Sequence, residues 1–133
     1  MKKLTHKQTL EKEAIELWKQ ACLERYGDRS EVSGQIISTF HHFIPKGRNG
    51  LLKYDIENGV GLTAKEHYNI HFSPNPVVIH DLVEAIERKR GKEWRKYIDS
   101  KQEENRNIGG YKSIKWLEER IEILYEYYND KLL

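Results

Sequence analysis

Apolar positions recur at helical spacing over residues 5–26, where Leu10, Ala14, Trp18, Ala21 and Cys22 make a stripe that Ile15 and Leu17 widen. Thr5 and Gln8 have the form of an N-terminal capping box, and Gly27 follows as a stop. A loop spans 28–34, and then the period changes. Gln35 to Ile44 is rich in Ile, Thr and Phe and predicts a strand. The turn-rich K-G-R-N-G segment (46–50) separates it from a short second strand over Gly59–Leu62. Thr63 and Glu66 form a T-x-x-E capping box that opens a helix, and Ser73-Pro74-Asn75-Pro76 ends it near His71 or Phe72.

The rest of the chain reads as helices. Asn75 caps the first, with Pro76 at its opening position and Val78, Ile79, Leu82, Val83 and Ile86 on one face before Gly91. Residues 92–104 predict another, carrying Trp94, Tyr97 and Ile98. Gly109-Gly110 breaks the chain, and Ser113 caps a last helix through Ile114, Leu117, Ile121, Leu124 and Tyr128. Helix, two strands, then helices make the class α+β with a small sheet.

At 133 residues the chain suits one domain with one modest core. Its 38% hydrophobic content, three Trp and eight Tyr exclude a disordered chain. A net charge of +2 does not by itself argue for nucleic acid, so a DNA-binding face needs local clustering. No apolar run is long enough to span a membrane and no signal core opens the chain, so the expected location is cytoplasmic. The single cysteine, Cys22, excludes an intramolecular disulfide and a thiolate zinc cluster, and it reads as core packing.

Four of the six histidines fall between positions 41 and 71, as His41-His42 and His67-x-x-x-His71. On a helix, i and i+4 put two imidazoles on one face, where both reach one ion. Consecutive strand residues point to opposite sides, so His41 and His42 need different tasks. Three imidazoles leave coordination positions open, as a catalytic ion requires. One divalent ion is therefore expected, Mg²⁺ or Mn²⁺ where substrate oxygens complete the shell, with Zn²⁺ or Ni²⁺ as alternatives. His6 and His80 read as ordinary polar residues, and Tyr68 as packing. Trp94, Tyr97, Trp116 and Tyr125 read as core or interface.

The run H-H-F-I-P-K (41–46), Asn58 in D-I-E-N-G-V, and H-Y-N-I-H (67–71) resembles the HNH endonucleases, closest to small phage-type members. The resemblance covers about residues 20–72, with a fainter trace in K-R-G-K-E-W (89–94). It implies a ββα-metal core over about 28–73, flanked by the N-terminal helix (5–26) and a C-terminal helical extension (75–132), all within a single domain, 1–133. By resemblance His41, His67 and His71 are the metal ligands, His42 the general base, and Asn58 the residue that pins the loop and orients the base. The implied activity is metal-dependent hydrolysis of DNA phosphodiesters to 5′-phosphate and 3′-hydroxyl ends, in a bacterial or phage-infected cell. A homodimer or a phage or host protein partner is compatible with it. Many relatives add a zinc on two C-x-x-C pairs. Here Ser30, Ser33, Thr63 and Glu66 stand at those places, and none supplies a thiolate.

Lys46, Arg48 and Lys53, in the loop beside the histidines, are candidate phosphate contacts. Arg88, Lys89, Arg90 and Arg95 form a second basic group that could equally be a solvated helix end. Two other classes stay open at this point. One is a catalytically silent metal-stabilised DNA-binding module. The other is a protein-interaction module that uses an exposed apolar face on 113–133.

Overall fold

A computed structural model describes residues 3–45, 50–106 and 113–132. It is α+β. In chain order the elements are α1 (His6–Tyr26), β1 (Thr39–His42), a 3-10 turn (Ile56–Asn58), β2 (Gly59–Leu62), α2 (Ala64–Phe72), α3 (Pro76–Arg90), α4 (Lys92–Asn105) and α5 (Ile114–Leu132). None of the described helices is long and apolar enough to cross a membrane.

The helix ends follow local chemistry. Thr5 with Gln8, and Thr63 with Glu66, make reciprocal capping boxes, while Asn75 accepts from the Val77 amide with Pro76 just inside the helix. Gly27 and Gly91 end α1 and α3 with positive φ, a conformation that side-chain-bearing residues rarely adopt. Ser113 Oγ accepts from the Trp116 amide at the start of α5. The expected break at Gly109-Gly110 lies outside the described residues.

The first strand is shorter than Gln35–Ile44. Pairing with β2 covers only Thr39–His42, because β2 is itself four residues long; before it, Ile36 makes an isolated bridge to Arg29. The two strands are antiparallel, with Phe40 opposite Gly61, His41 opposite Val60 and His42 opposite Gly59.

Strand alternation then sorts the core into two layers. Val60 and Leu62 join Ile44, Leu52, Ile86, Trp94 and Ile98 in one apolar cluster. Phe40 joins Trp18, Cys22, Ala14, Leu117, Ile121 and Leu124 in the other, where α1 packs on α5. Of the described apolar residues of α5, Leu117, Ile121 and Leu124 are used inside the molecule, whereas Ile114, Ile123 and Tyr125 remain exposed. Leu117, Ile121 and Leu124 are buried against the Ala14, Trp18 and Ala21 stripe of α1. The α3 face is less covered than its pattern implies: only Ile86 is fully buried.

Gly59 lets α1 approach the sheet. A Cβ there would lie 2.4 Å from Cys22 Sγ and 3.1 Å from Trp18 Cζ2, closer than packed atoms tolerate. Gly59→Ala is expected to cost about 1–3 kcal/mol in urea denaturation, the usual range for overpacking. Adding Cys22→Ala removes the nearer obstacle, so the double variant should lose less than the two single losses combined. Strict additivity would contradict this packing.

Candidate metal centre

His41 and His42 project to opposite sides of β1, as strand geometry requires. His41 lies on the same side as Val60, turned to α2; its ring centroid is 5.2 Å from that of His67 and 4.9 Å from that of His71. The i, i+4 pair on α2 closes the group at 4.8 Å. One ligand nitrogen from each of the three imidazoles lies within 4.8 Å of the others. Tetrahedral coordination with bonds of 2.0–2.1 Å needs nitrogens about 3.3 Å apart, within reach of small side-chain rotations. The donor set, three imidazoles whose ligand nitrogens converge, fits a divalent ion. Their burial is graded, from His41 at 8% exposure through half-buried His67 to exposed His71, so the centre opens to solvent beside α2.

Burial, together with the neighbouring His71, His67 and His42, pushes the His41 imidazole down from its ordinary 6.5 to about 4. Burial and His71 also lower His67. Both rings are thereby held neutral, the form that donates a lone pair to an ion.

His42 lies on the other side, opposite Gly59. With no Cβ at Gly59, the Trp18 indole lies flat on the His42 ring, centroids 4.1 Å apart and planes within 7°. Trp18 is fixed in turn by its Nε1–H, which donates to the Asp55 carbonyl at 2.8 Å. His42 Nε2 stands 2.8 Å from the Lys53 carbonyl. A carbonyl only accepts, so Nε2 carries the proton and Nδ1 is the basic nitrogen.

Asn58 is fully buried and binds three backbone groups. Its Oδ1 accepts from the Ile44 amide at 2.8 Å, and its Nδ2 donates to the carbonyls of Ile44 and Leu52 at 3.0 and 3.1 Å. The amide thus joins the exit of β1 to the segment whose next residue, Lys53, holds His42.

The four positions compared with thiolate pairs form a hydrogen-bonded knot instead. Glu66 accepts from Ser30 Oγ at 2.6 Å and from the Thr63 amide at 2.9 Å, and Ser30 Oγ accepts from the amides of Val32 and Ser33. These bonds hold the Glu66 carboxyl below its usual range against the opposing effect of burial. The knot pins the 28–34 loop to the first turn of α2, the helix that carries two of the candidate ligands.

The basic residues divide. Lys46 and Arg48 lie outside the described residues. Lys53 contributes its carbonyl, while its ammonium sits 5.4 Å from the Tyr54 ring. Arg90, read as either a phosphate contact or part of a solvated helix end, is neither: its side chain is 7% exposed, pairs with Glu31 at 2.7 Å, donates to the carbonyls of Glu57 and Gly59, and stacks on Tyr26. The Glu57 carbonyl also accepts from Trp94 Nε1 at 2.7 Å, so α3 and α4 both supply donors to this stretch of backbone. Arg88 pairs with Glu84 at 3.3 Å, and Arg95 with Asp99 at 3.1 Å beneath Phe43. Lys89 and Arg90 line a separate cleft of about 880 Å³ with Arg25, Tyr26 and Trp94, and none of the four histidines lines it. His80, Asp81 and Glu84 form a second group close enough to meet an ion, but all three are exposed side chains of one helix in ordinary ion-pair spacing.

Sequence reading missed Trp18 and the Lys53 carbonyl as partners of His42. Trp18 shows only as one more apolar helix position, and a backbone carbonyl leaves no trace in residue type. Tyr68, read as packing, is instead 62% exposed. No family model, curated protein or solved structure matches the chain.

Asn58→Ala leaves the Ile44 and Leu52 backbone groups without their buried partner, so it is expected to cost about 2–4 kcal/mol in chemical denaturation; a loss below 0.5 kcal/mol would contradict the clamp. The His41 shift has a definite sign. Its folded value lies below the unfolded one, so the unfolded chain gains a proton first as pH falls, and stability drains away between about pH 6.5 and 4. The ion-free protein should hold a steady Tm above pH 7 and lose it across that window, less steeply in His41→Gln.

Proposed function

We propose that this chain is a metal-dependent endonuclease of the HNH type, hydrolysing DNA phosphodiesters on a ββα-metal core formed by β1, β2 and α2. The single observation that carries this reading is the division of labour at β1. His41 turns to the i, i+4 histidine pair of α2, while His42 is held apart with its acceptor nitrogen defined by the Lys53 carbonyl. A site that merely stiffened the fold would have no use for a second, separately oriented imidazole. The resemblance of H-H-F-I-P-K, N-G-V and H-Y-N-I-H to HNH endonucleases supports the same reading.

A divalent ion, Mg²⁺ or Mn²⁺ in preference to Zn²⁺ or Ni²⁺, would be held by His41, His67 and His71 and would supply Lewis acidity toward the phosphoryl and leaving oxygens. The protein's own part is positional and basic. His42 Nδ1 takes a proton from water as its oxygen attacks phosphorus, and the P–O3′ bond breaks, the departing O3′ taking a proton from solvent water, to leave a 5′-phosphate and a 3′-hydroxyl. The Lys53 carbonyl stabilises the imidazolium that forms, since it accepts from Nε2–H in both protonation states. Stacking on Trp18 keeps the ring from rotating, which preserves its aim between turnovers. Asn58 acts one step back, by fixing the segment that carries the Lys53 carbonyl.

Supercoiled plasmid treated with wild-type protein and Mg²⁺ or Mn²⁺, after chelator treatment, is expected to be nicked or linearised. His42→Ala should lose about 10²- to 10⁴-fold in rate while remaining folded. If no divalent ion supports cleavage of duplex, branched or single-stranded DNA, the enzyme reading falls and the silent binding module takes its place. Cleavage by His42→Ala at the wild-type rate would remove His42 from the chemistry.

A further inference from the structure

Two of the largest exposed apolar side chains sit on the short helix that carries the candidate ligands. Tyr68 is 62% and Phe72 68% exposed, and α2 has no fully buried residue. Their rings lie 5.3 Å apart, and Phe72 lies 5.9 Å from the His71 ring, so an aromatic surface runs unbroken from the metal centre along α2. Lys65, Tyr68 and Phe72 follow at i, i+3 and i+7 on one stripe, beside the stripe of His67 and His71. Lys65 is exposed and has no ion-pair partner among the described residues. The only carboxylate of α2, Glu66, is tied down by Ser30 and Thr63.

We propose that Tyr68 and Phe72 form a base-stacking platform beside the metal centre, and that the strand bound there has unstacked bases: single-stranded DNA, or the unpaired stretch of an otherwise paired duplex. The inference rests on the nuclease reading for the role of that strand as substrate. Stacking requires an open π-face on both partners. Intact duplex offers none, because each base is covered by its neighbours, whereas an unpaired base can lie on an exposed ring. A phosphodiester seated at the three imidazoles would carry its flanking bases along α2, over the two rings, with Lys65 placed for the next backbone phosphate. On α2 the exposed groups are two rings and one lysine continuous with polar imidazoles, a mixture of π-faces and positive charge that matches a nucleic-acid strand better than an aliphatic protein face.

The test is binding, read in chelator so that it depends on neither ion nor cleavage. Fluorescence anisotropy would compare a single-stranded oligonucleotide, its fully paired duplex, and the duplex with a central unpaired loop. Wild type is expected to bind the first and third about tenfold more tightly than the second. Tyr68→Ala and Phe72→Ala should each weaken binding to the first and third about tenfold, leave the duplex unchanged, and spare Tyr68→Phe. Equal affinity for all three DNAs, or no effect of either alanine, would overturn the platform. So would a fall in sedimenting mass of the alanine variants, which would mean that a second copy of the chain covers these rings. The two readings fail separately. DNA cut by wild type with alanine variants indifferent removes the platform alone, whereas selective binding without cleavage under any ion removes the nuclease alone.

Discussion

The arrangement of the histidines depends on one buried side-chain amide. Asn58 satisfies both backbone groups of Ile44 and the carbonyl of Leu52, three partners that no water replaces at a fully buried position. Without it the chain leaving β1 and the segment before the 3-10 turn have no common anchor. With it, β1 is held in register with β2, and the carbonyl of Lys53 comes to rest against His42. An asparagine is suited to this role because it donates and accepts at once. A carboxylate would only accept, and an apolar side chain would strand all three groups.

From that anchor, the pleat of a two-stranded sheet does the rest. Opposed residues share a side, so His41 goes with Val60 toward α2 and His42 with Gly59 toward α1. The missing side chain at Gly59 leaves room for Trp18 and Cys22, and the indole then lies flat on His42. Each of the two apolar layers thus braces one histidine. Arg90 closes the structure from the far side, joining the ends of α1 and α3, the 28–34 loop and the start of β2 through one guanidinium. A buried pair of this kind is weak evidence for net stability, but it explains why a basic residue in a basic cluster is unavailable to a ligand.

Much of this is legible in the residues. The capping boxes at Thr5 and Thr63, the Pro76 start, the stop at Gly91 and the short second strand all follow from local chemistry, which is why their boundaries agree with the structure to within a residue or two. The i, i+4 histidines and the two-sided His41-His42 pair are legible for the same reason, since periodicity alone decides which face each occupies. What is not legible depends on contacts distant in sequence. The first strand ends where its partner ends, so its length was set by β2 rather than by its own Ile and Thr content. Arg90 and Arg88 are alike in sequence, and only the approach of Glu31 and Tyr26 separates the buried one from the exposed one. Tyr68 looks like a packing residue until the helix that carries it proves to have Ile70 and Glu66 on its inner face.

On this geometry three imidazoles, and not four, are expected to make one ion site. Calorimetric titration of the ion-free protein with Mn²⁺ and Zn²⁺ addresses it directly, across wild type and single alanine variants at the four positions. One ion per chain is expected. Its affinity should fall in His41→Ala, His67→Ala and His71→Ala by more than the roughly 10- to 100-fold that loss of an outer partner costs, and stay near wild type in His42→Ala. Binding that survives loss of His67 or His71, or that His42→Ala abolishes as fully as the others, would contradict it.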